Sequence, residues 1–285
     1  MVRVIPRCCI YGFAYILSKV IYILAIKQRR VAFAGLEIAF GDQKTKEERK
    51  KIAIECFDVM VKNIIEFLVF INNPDLIDKH ARVEGYEYLV KALEKGKGVV
   101  ALSAHIGNFP LLLVKLARDD YKINSLLRHM RDPWMDEYLY KRRTALGVGS
   151  VFTQPRKKCV EESLEVLRKN QILFIQLDQN FGTGGVFVDF FGKKAATAKG
   201  PIVLALRAKS PIVPMFIVRE NKNMHKIIIE PEVEVVEGRD SEETIQLNAA
   251  KLTKLIESYV RKYPSEWGWI HRRWKARPKE ERKSN

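Results

Sequence analysis

Apolar positions recur along the chain in two registers, one helical and one of short unbroken runs. Over 45–71, TKEERKKIAIECFDVMVKNIIEFLVFI, residues Ile52, Cys56, Val59, Met60, Ile64, Phe67, Leu68 and Ile71 share one face behind a charged first turn, which predicts an amphipathic helix with a wide apolar face. Asn72-Asn73-Pro74 ends it, and a segment 81–97 leads through Gly96 and Gly98 to the β-branched run Val99–Ser103. A Gly- and Asn-containing turn follows, then a helix opening at Pro110. The pattern repeats: strands Ile123–Leu127, Ser150–Phe152 and Ile172–Leu177 alternate with helices 132–146, 158–169 and 198–208. Ile212–Arg219 and Lys226–Val235 predict a further strand and a return strand, and 241–262 a long helix. Strands alternating with helices imply an α/β fold: a mostly parallel central sheet flanked by helices, with the site at the C-terminal strand ends.

The first apolar stretch, CCIYGFAYILSKVIYILAI over 8–26, is about as long as a hydrocarbon core is thick. Arg3 and Arg7 precede it, and Lys27, Arg29 and Arg30 follow. Residues 1–30 are therefore expected to form an N-terminal hydrophobic membrane-anchoring helix, a buried core helix being the alternative. Lys19 in its middle is costly at mid-bilayer, so it must snorkel, pair, or mark a helix lying in the interface. No small-residue cleavage site follows, and no cleaved signal peptide is expected. Residues 31–278 read as one domain, and 279–285 as a disordered tail.

Charge narrows the partners. Fifty Lys and Arg against 34 Asp and Glu give a net +16, which favours phospholipid headgroups, phosphorylated glycolipids, nucleic acids or acidic carrier proteins. Arg142, Arg143, Arg156, Lys157 and Lys158 read as a solvated surface. Cys8, Cys9, Cys56 and Cys159 have neither zinc-ligand spacing nor a disulfide pattern, and read as reduced thiols. The loop Asn180–Gly185 lacks the order of a phosphate-binding loop, and its glycines suit a turn into Val186–Phe191, either a core strand or a lining for an acyl chain.

One histidine stands where chemistry is done. His105 follows the strand Val99–Ser103 in Ser103-Ala104-His105-Ile106-Gly107-Asn108-Phe109-Pro110, placed to take a proton from an attacking hydroxyl. A lone loop histidine is more often structural, so the surrounding motif decides.

Three blocks carry that decision: SAHIGNFPLL at 103–112, the run from LDQNFGTGG to IVPMFIVR over 177–219, and PSEWGWIHRRWKARP at 264–278. In order and spacing they resemble the lipid A biosynthesis lauroyl/myristoyl (late) acyltransferase family. The resemblance implies a glycerolipid-acyltransferase-like fold over 31–278 and an enzyme on the cytoplasmic face of the bacterial inner membrane. It implies an acyl carrier protein thioester as donor and a hydroxyl of a lipid A precursor, an anionic glycolipid, as acceptor. No metal and no bound cofactor are expected, and no nucleic-acid partner.

In that family the histidine is usually followed, five residues on, by Glu or Asp, where this chain has Pro110. Asp178, at the end of Ile172–Leu177, is expected to supply the missing carboxylate, because neighbouring parallel strands present their ends to one crevice; loop capping with Gln179 is the alternative. Asp119 and Asp120 are weaker candidates, at the far end of the next helix. His105 is then the general base, and Gly107 and Asn108, through backbone N–H groups or the Asn108 amide, are candidates for holding the oxyanion. Arg128 and Arg219, both at strand ends, and Gln179 are expected to bind substrate, the two guanidinium groups through a phosphate. In isolation His271 to Lys275 with Trp267 and Trp269 suggests an interfacial belt or a nucleic-acid stacking platform; the resemblance favours a structural or phosphate-binding role. The competing readings are a lysophospholipid or other glycolipid acyltransferase, and an inactive membrane lipid-binding relative.

Overall fold

The structure, a computed structural model, describes residues 7–221, 224–279 and 281. Arg3, the Arg7, Cys8 and Cys9 side chains and most of the tail 279–285 lie outside what is described.

Seven strands form the central sheet in the order β1-β9-β8-β2-β5-β3-β4. They are β1 (Ala81–Glu84), β2 (Val99–Ser103), β3 (Ile123–Leu127), β4 (Val148–Phe152), β5 (Ile172–Gln176), β8 (Ile212–Arg219) and β9 (His225–Ile229). All neighbours are parallel except β8 and β9. β2 lies at the centre with every residue buried, which is why it is a continuous apolar run. Its side chains alternate between two cores: Val100 and Leu102 share one with Leu173 and Ile175, and Val99 and Ala101 share the other with Ile172 and Phe174.

The crossovers run through α6 (Phe109–Arg118), α7 (Pro133–Ala145), α8 (Arg156–Arg168) and α9 (Gly200–Ala208), and α10 (Ser241–Lys262) closes the chain's main body. α4 (Asp75–His80) and α5 (Tyr86–Leu93) flank β1. A separate hairpin, β6 (Val186–Phe190) with β7 (Lys193–Thr197), packs against α10. The return strand is shorter than Lys226–Val235: β9 stops at Ile229 and the chain continues beyond regular pairing. Arg142 is not a solvated cation, since its Nη2 donates to Ile71 O at 2.6 Å and to the Asn72 side chain at 2.7 Å. There it satisfies a carbonyl at the end of α3 (Lys46–Asn72) that the helix itself leaves open.

The N-terminal expectation changes most. The apolar stretch 8–26 is taken up by one helix, α1 (Arg7–Leu24), and a second helix, α2 (Ile26–Phe40), begins after Ala25. Among the described residues no helix is long and apolar enough to cross a membrane. Polar positions tie α1 to the body of the fold. Ser18 Oγ donates to Asp58 Oδ1 at 3.1 Å and Tyr11 Oη to Glu66 Oε1 at 2.9 Å, which ties one side of α1 to α3. Lys19 sits 4.7 Å from the Tyr15 ring centre. α3 itself begins with a reciprocal Thr45–Glu48 capping box.

Candidate active site

The strand register sets the site. β2 and β5 pair from Val99 with Ile172 to Ser103 with Gln176, and Leu177 N–H continues the ladder to Ser103 O at 3.0 Å. Extending that register past the sheet edge brings His105 opposite Asp178. His105 N–H donates to Asp178 Oδ2 at 3.0 Å, and Nδ1 lies 2.8 Å from Oδ1. The indole of Trp267 donates to the same Oδ2 at 2.7 Å. The imidazole side chain is 31% exposed and the carboxylate 2%, so the ring is anchored on one edge and open on the other.

Burial alone would raise the Asp178 carboxyl, but His105 beside it and the two N–H donors outweigh burial and hold it at about 2. An ionised partner at Nδ1 fixes that nitrogen as the protonated one and leaves Nε2 as the acceptor. The exposed amide of Gln179 reaches Nε2 at 3.0 Å, and the Phe109 ring packs edge-on against the imidazole at 5.4 Å.

The third sequence block is the clamp. Ile106 bridges Trp267, Gly107 N–H donates to Glu266 O at 3.0 Å, and Gly268 N–H donates to His105 O at 3.2 Å. Beneath them the Cys56 thiol donates to Trp267 O at 3.2 Å. Burial pushes that thiol up to about 12, an inert packing cysteine. Arg273, fully buried, donates to Gln179 O at 2.9 Å, Ala196 O at 2.6 Å and Thr197 Oγ1 at 2.6 Å, joining the loop after β5 to the hairpin. Burial lowers this guanidinium to about 10. Asn180 N–H donates to His271 Nε2 at 2.9 Å, and burial, first among its influences, lowers that imidazole as well.

Other residues of the expected site fall elsewhere. Gly107 has φ +59°, and a Cβ there would meet Ile217 O at 2.1 Å; its N–H is already donated. The buried Asn108 amide donates to Asn63 O at 3.0 Å. Neither group is available to an oxyanion, because each holds the His105 loop against the scaffold. Arg219 is committed too: its Nη1 and Nη2 each lie 2.7 Å from a Glu66 oxygen, and Nη2 lies 2.9 Å from Asn63 Oδ1. The bidentate pair engages both terminal nitrogens of Arg219 with Glu66, so this is not a free guanidinium poised for a phosphate. Arg128 is exposed at the end of β3 and makes no ion pair among the described residues. Asp119 accepts from Tyr86 and Lys115, away from the crevice.

The sequence reading did not reach Glu66. Buried on α3, it gathers Arg219, Tyr11 and His225, whose Nε2 is 3.0 Å from Oε2. Burial works to raise it, and His225 and Arg219 together hold it well below the usual carboxylate range. A single acid inside the apolar run from Ile64 to Ile71 was the available signal.

An α/β sheet with a histidine–carboxylate pair on adjacent strand ends fits an enzyme that moves a proton at that histidine. Residues 1–276 match the family model for bacterial lipid A biosynthesis acyltransferase, and the chain belongs to that family. It is an acyltransferase. It is 25% identical over 248 residues to a lipid A biosynthesis acyltransferase of Haemophilus influenzae, covering 86% of this chain and 75% of that one. Identity to the lipid A biosynthesis palmitoleoyltransferase of Escherichia coli is 26%, with 88% and 80% covered. Identity to the lauroyltransferase of the same organism is 24%, with 96% and 88% covered.

Proposed function

We propose that the enzyme transfers an acyl chain from an acyl carrier protein thioester to a hydroxyl of an anionic glycolipid of the lipid A precursor type, with His105 as general base. One observation carries this reading: the buried, ionised Asp178 lies on Nδ1 of a histidine whose other edge is open. Asp178 thereby takes the part that a carboxylate five residues after the histidine would play, and Pro110, in the first turn of α6, is free to serve only the helix.

The acceptor hydroxyl displaces the Gln179 amide and donates to Nε2. Its oxygen attacks the thioester carbonyl as Nε2 takes the proton, and Asp178 stabilises the imidazolium. With Gly107 and the Asn108 amide engaged, the oxyanion donors are the Asn108 and Phe109 backbone N–H groups at the start of α6, which have no acceptor among the described residues. Collapse breaks the C–S bond, and the thiolate leaving group recovers the proton from the imidazolium.

The enzyme works at the cytoplasmic face of the inner membrane. Phe13, Ile16, Val20, Ile23 and Leu24 lie on the face of α1 turned away from α3 and are exposed, which supports interfacial anchoring in place of a span. The test is transfer from acyl carrier protein loaded with mixed chain lengths onto a lipid A precursor and onto lysophospholipids. His105→Ala is expected to lower turnover on the glycolipid by about 10³-fold with folding intact. Near-normal turnover by that variant, or transfer to lysophospholipid alone, overturns the proposal.

A further inference from the structure

An open groove of about 770 Å³ runs between α2 and the segment 271–277. Its floor is apolar, with Val31, Ala34, Ile38 and Trp274, while Lys27, Arg30, Arg272, Lys275 and Arg277 stand around it; no carboxylate lines it. Lys27, Arg30, Arg272 and Lys275 are exposed and make no ion pair among the described residues. Like charges gathered on an apolar cleft repel one another, and an anionic ligand relieves that repulsion. Some exposed cations elsewhere on this molecule are paired, as Lys141 is with Glu137 and Lys169 with Glu165; what sets this cluster apart is that several cations share one apolar cleft with no carboxylate lining it.

Two further observations say which anion. The wall of the groove is bonded to the residues around the base: His271 accepts from Asn180 N–H, and Arg273 donates to Gln179 O, whose side chain reaches His105 Nε2. The mouth is continuous with the apolar face of α1, because Ile26 lines the groove and Ile23 and Leu24 are exposed just before it. A ligand here needs an acyl chain, a negative headgroup, and a part that extends to the base.

We propose that this groove seats the acceptor itself, with one acyl chain on the floor and a phosphate monoester of the glycolipid held by Lys27, Arg30, Arg272 and Lys275. Phosphate recognition thus belongs to α2 and the C-terminal segment. The inference rests on the reading that the acceptor is an anionic glycolipid.

The test uses the full chain in detergent solution with two probes: a phosphorylated, acylated glucosamine disaccharide, and the same lipid after enzymatic removal of its phosphates. In Lys27→Gln/Arg30→Gln, KM for the phosphorylated lipid should rise about tenfold or more, since losing charge-assisted contacts to a phosphate costs at least that factor. KM for the dephosphorylated lipid and kcat for both should stay near wild type. Ala34→Trp, at an exposed helix position, fills the floor and should raise KM for both lipids. An equal rise on both lipids in the double variant, or no rise on the phosphorylated one, overturns the proposal. Cosedimentation with phosphatidylglycerol and phosphatidylcholine vesicles separates the other phosphate source. If the double variant loses phosphatidylglycerol binding but keeps a wild-type KM for the phosphorylated lipid, the cations serve bilayer headgroups and the proposal falls. Equilibrium binding of both probes to His105→Ala reads occupancy without turnover. Phosphate-dependent binding there that the double substitution abolishes supports the groove even if wild type transfers nothing, which would overturn the acyl-transfer reading alone.

Discussion

Asp178 holds a charge where burial opposes it, and this ties stability to pH. Its carboxyl is about 2 in the folded chain against 3.8 as the ordinary value, so the folded state binds fewer protons. The stabilisation is therefore fully present above about pH 4 and is lost as pH falls toward 2, and a shift of that size corresponds to roughly 2 kcal/mol. Asp178→Asn should be less stable than wild type at pH 6, with the gap closing below pH 4, and should lose about 10²–10⁴-fold in turnover because the imidazole loses its anionic partner. Urea titrations at several pH values check the first part; a gap that stays constant down to pH 2 would contradict it. Glu66 gives a second test. Glu66→Gln leaves Arg219 buried without its carboxylate, and breaking such a pair costs about 3–5 kcal/mol. A loss under about 1 kcal/mol would mean that water replaces the pair. Asp178 was within reach of the sequence because its strand-end position follows from local patterning. The fates of Asn108 and Arg219 were not, because their partners, Asn63 and Glu66, come from a helix many residues away.

At the scale of elements, α1 has two faces that composition alone could not separate. Ala14 and Ser18 are buried toward α3, and Tyr22 packs edge-on against Phe57 at 5.3 Å. Ile16 is 65% and Leu24 73% exposed on the other side. Counting apolar residues over 8–26 gave spanning length, but the Ser18 and Tyr11 bonds to α3 exist only in the folded chain. That is why a length argument found the helix but not the face that α1 turns toward α3. Ile16→Glu/Leu24→Glu places charge on the solvent face and should leave the thermal midpoint nearly unchanged. It should weaken vesicle cosedimentation by about tenfold or more, since each apolar side chain immersed contributes on the order of 1–2 kcal/mol. A collapse of the midpoint would instead mark this face as an internal contact. The same limit explains β1 and β7, which the apolar pattern does not mark, whereas β2 and β5 are apolar runs that identify themselves.

Over the whole molecule, the proposed interfacial anchoring predicts two separable contributions to membrane affinity, one from the net charge of +16 and one from the apolar face of α1. Charge acts through a field that salt screens, with a Debye length near 10 Å at 0.1 M and about 3 Å at 1 M. Insertion of apolar side chains is nearly indifferent to salt at these concentrations. Binding to vesicles rich in phosphatidylglycerol should therefore fall steeply between about 0.05 and 0.5 M salt and level off at a residual value. Binding to phosphatidylcholine vesicles should be weak and flat at that residual value. In Ile16→Glu/Leu24→Glu the salt-dependent part should survive while the plateau disappears. Cosedimentation over the salt series on both lipids, for both chains, measures the two contributions independently. If anionic vesicles bind the wild-type chain equally at both ends of the series, the positive charge is not what meets the bilayer. It would then have to be accounted for by the proposed acidic carrier protein and phosphorylated acceptor instead.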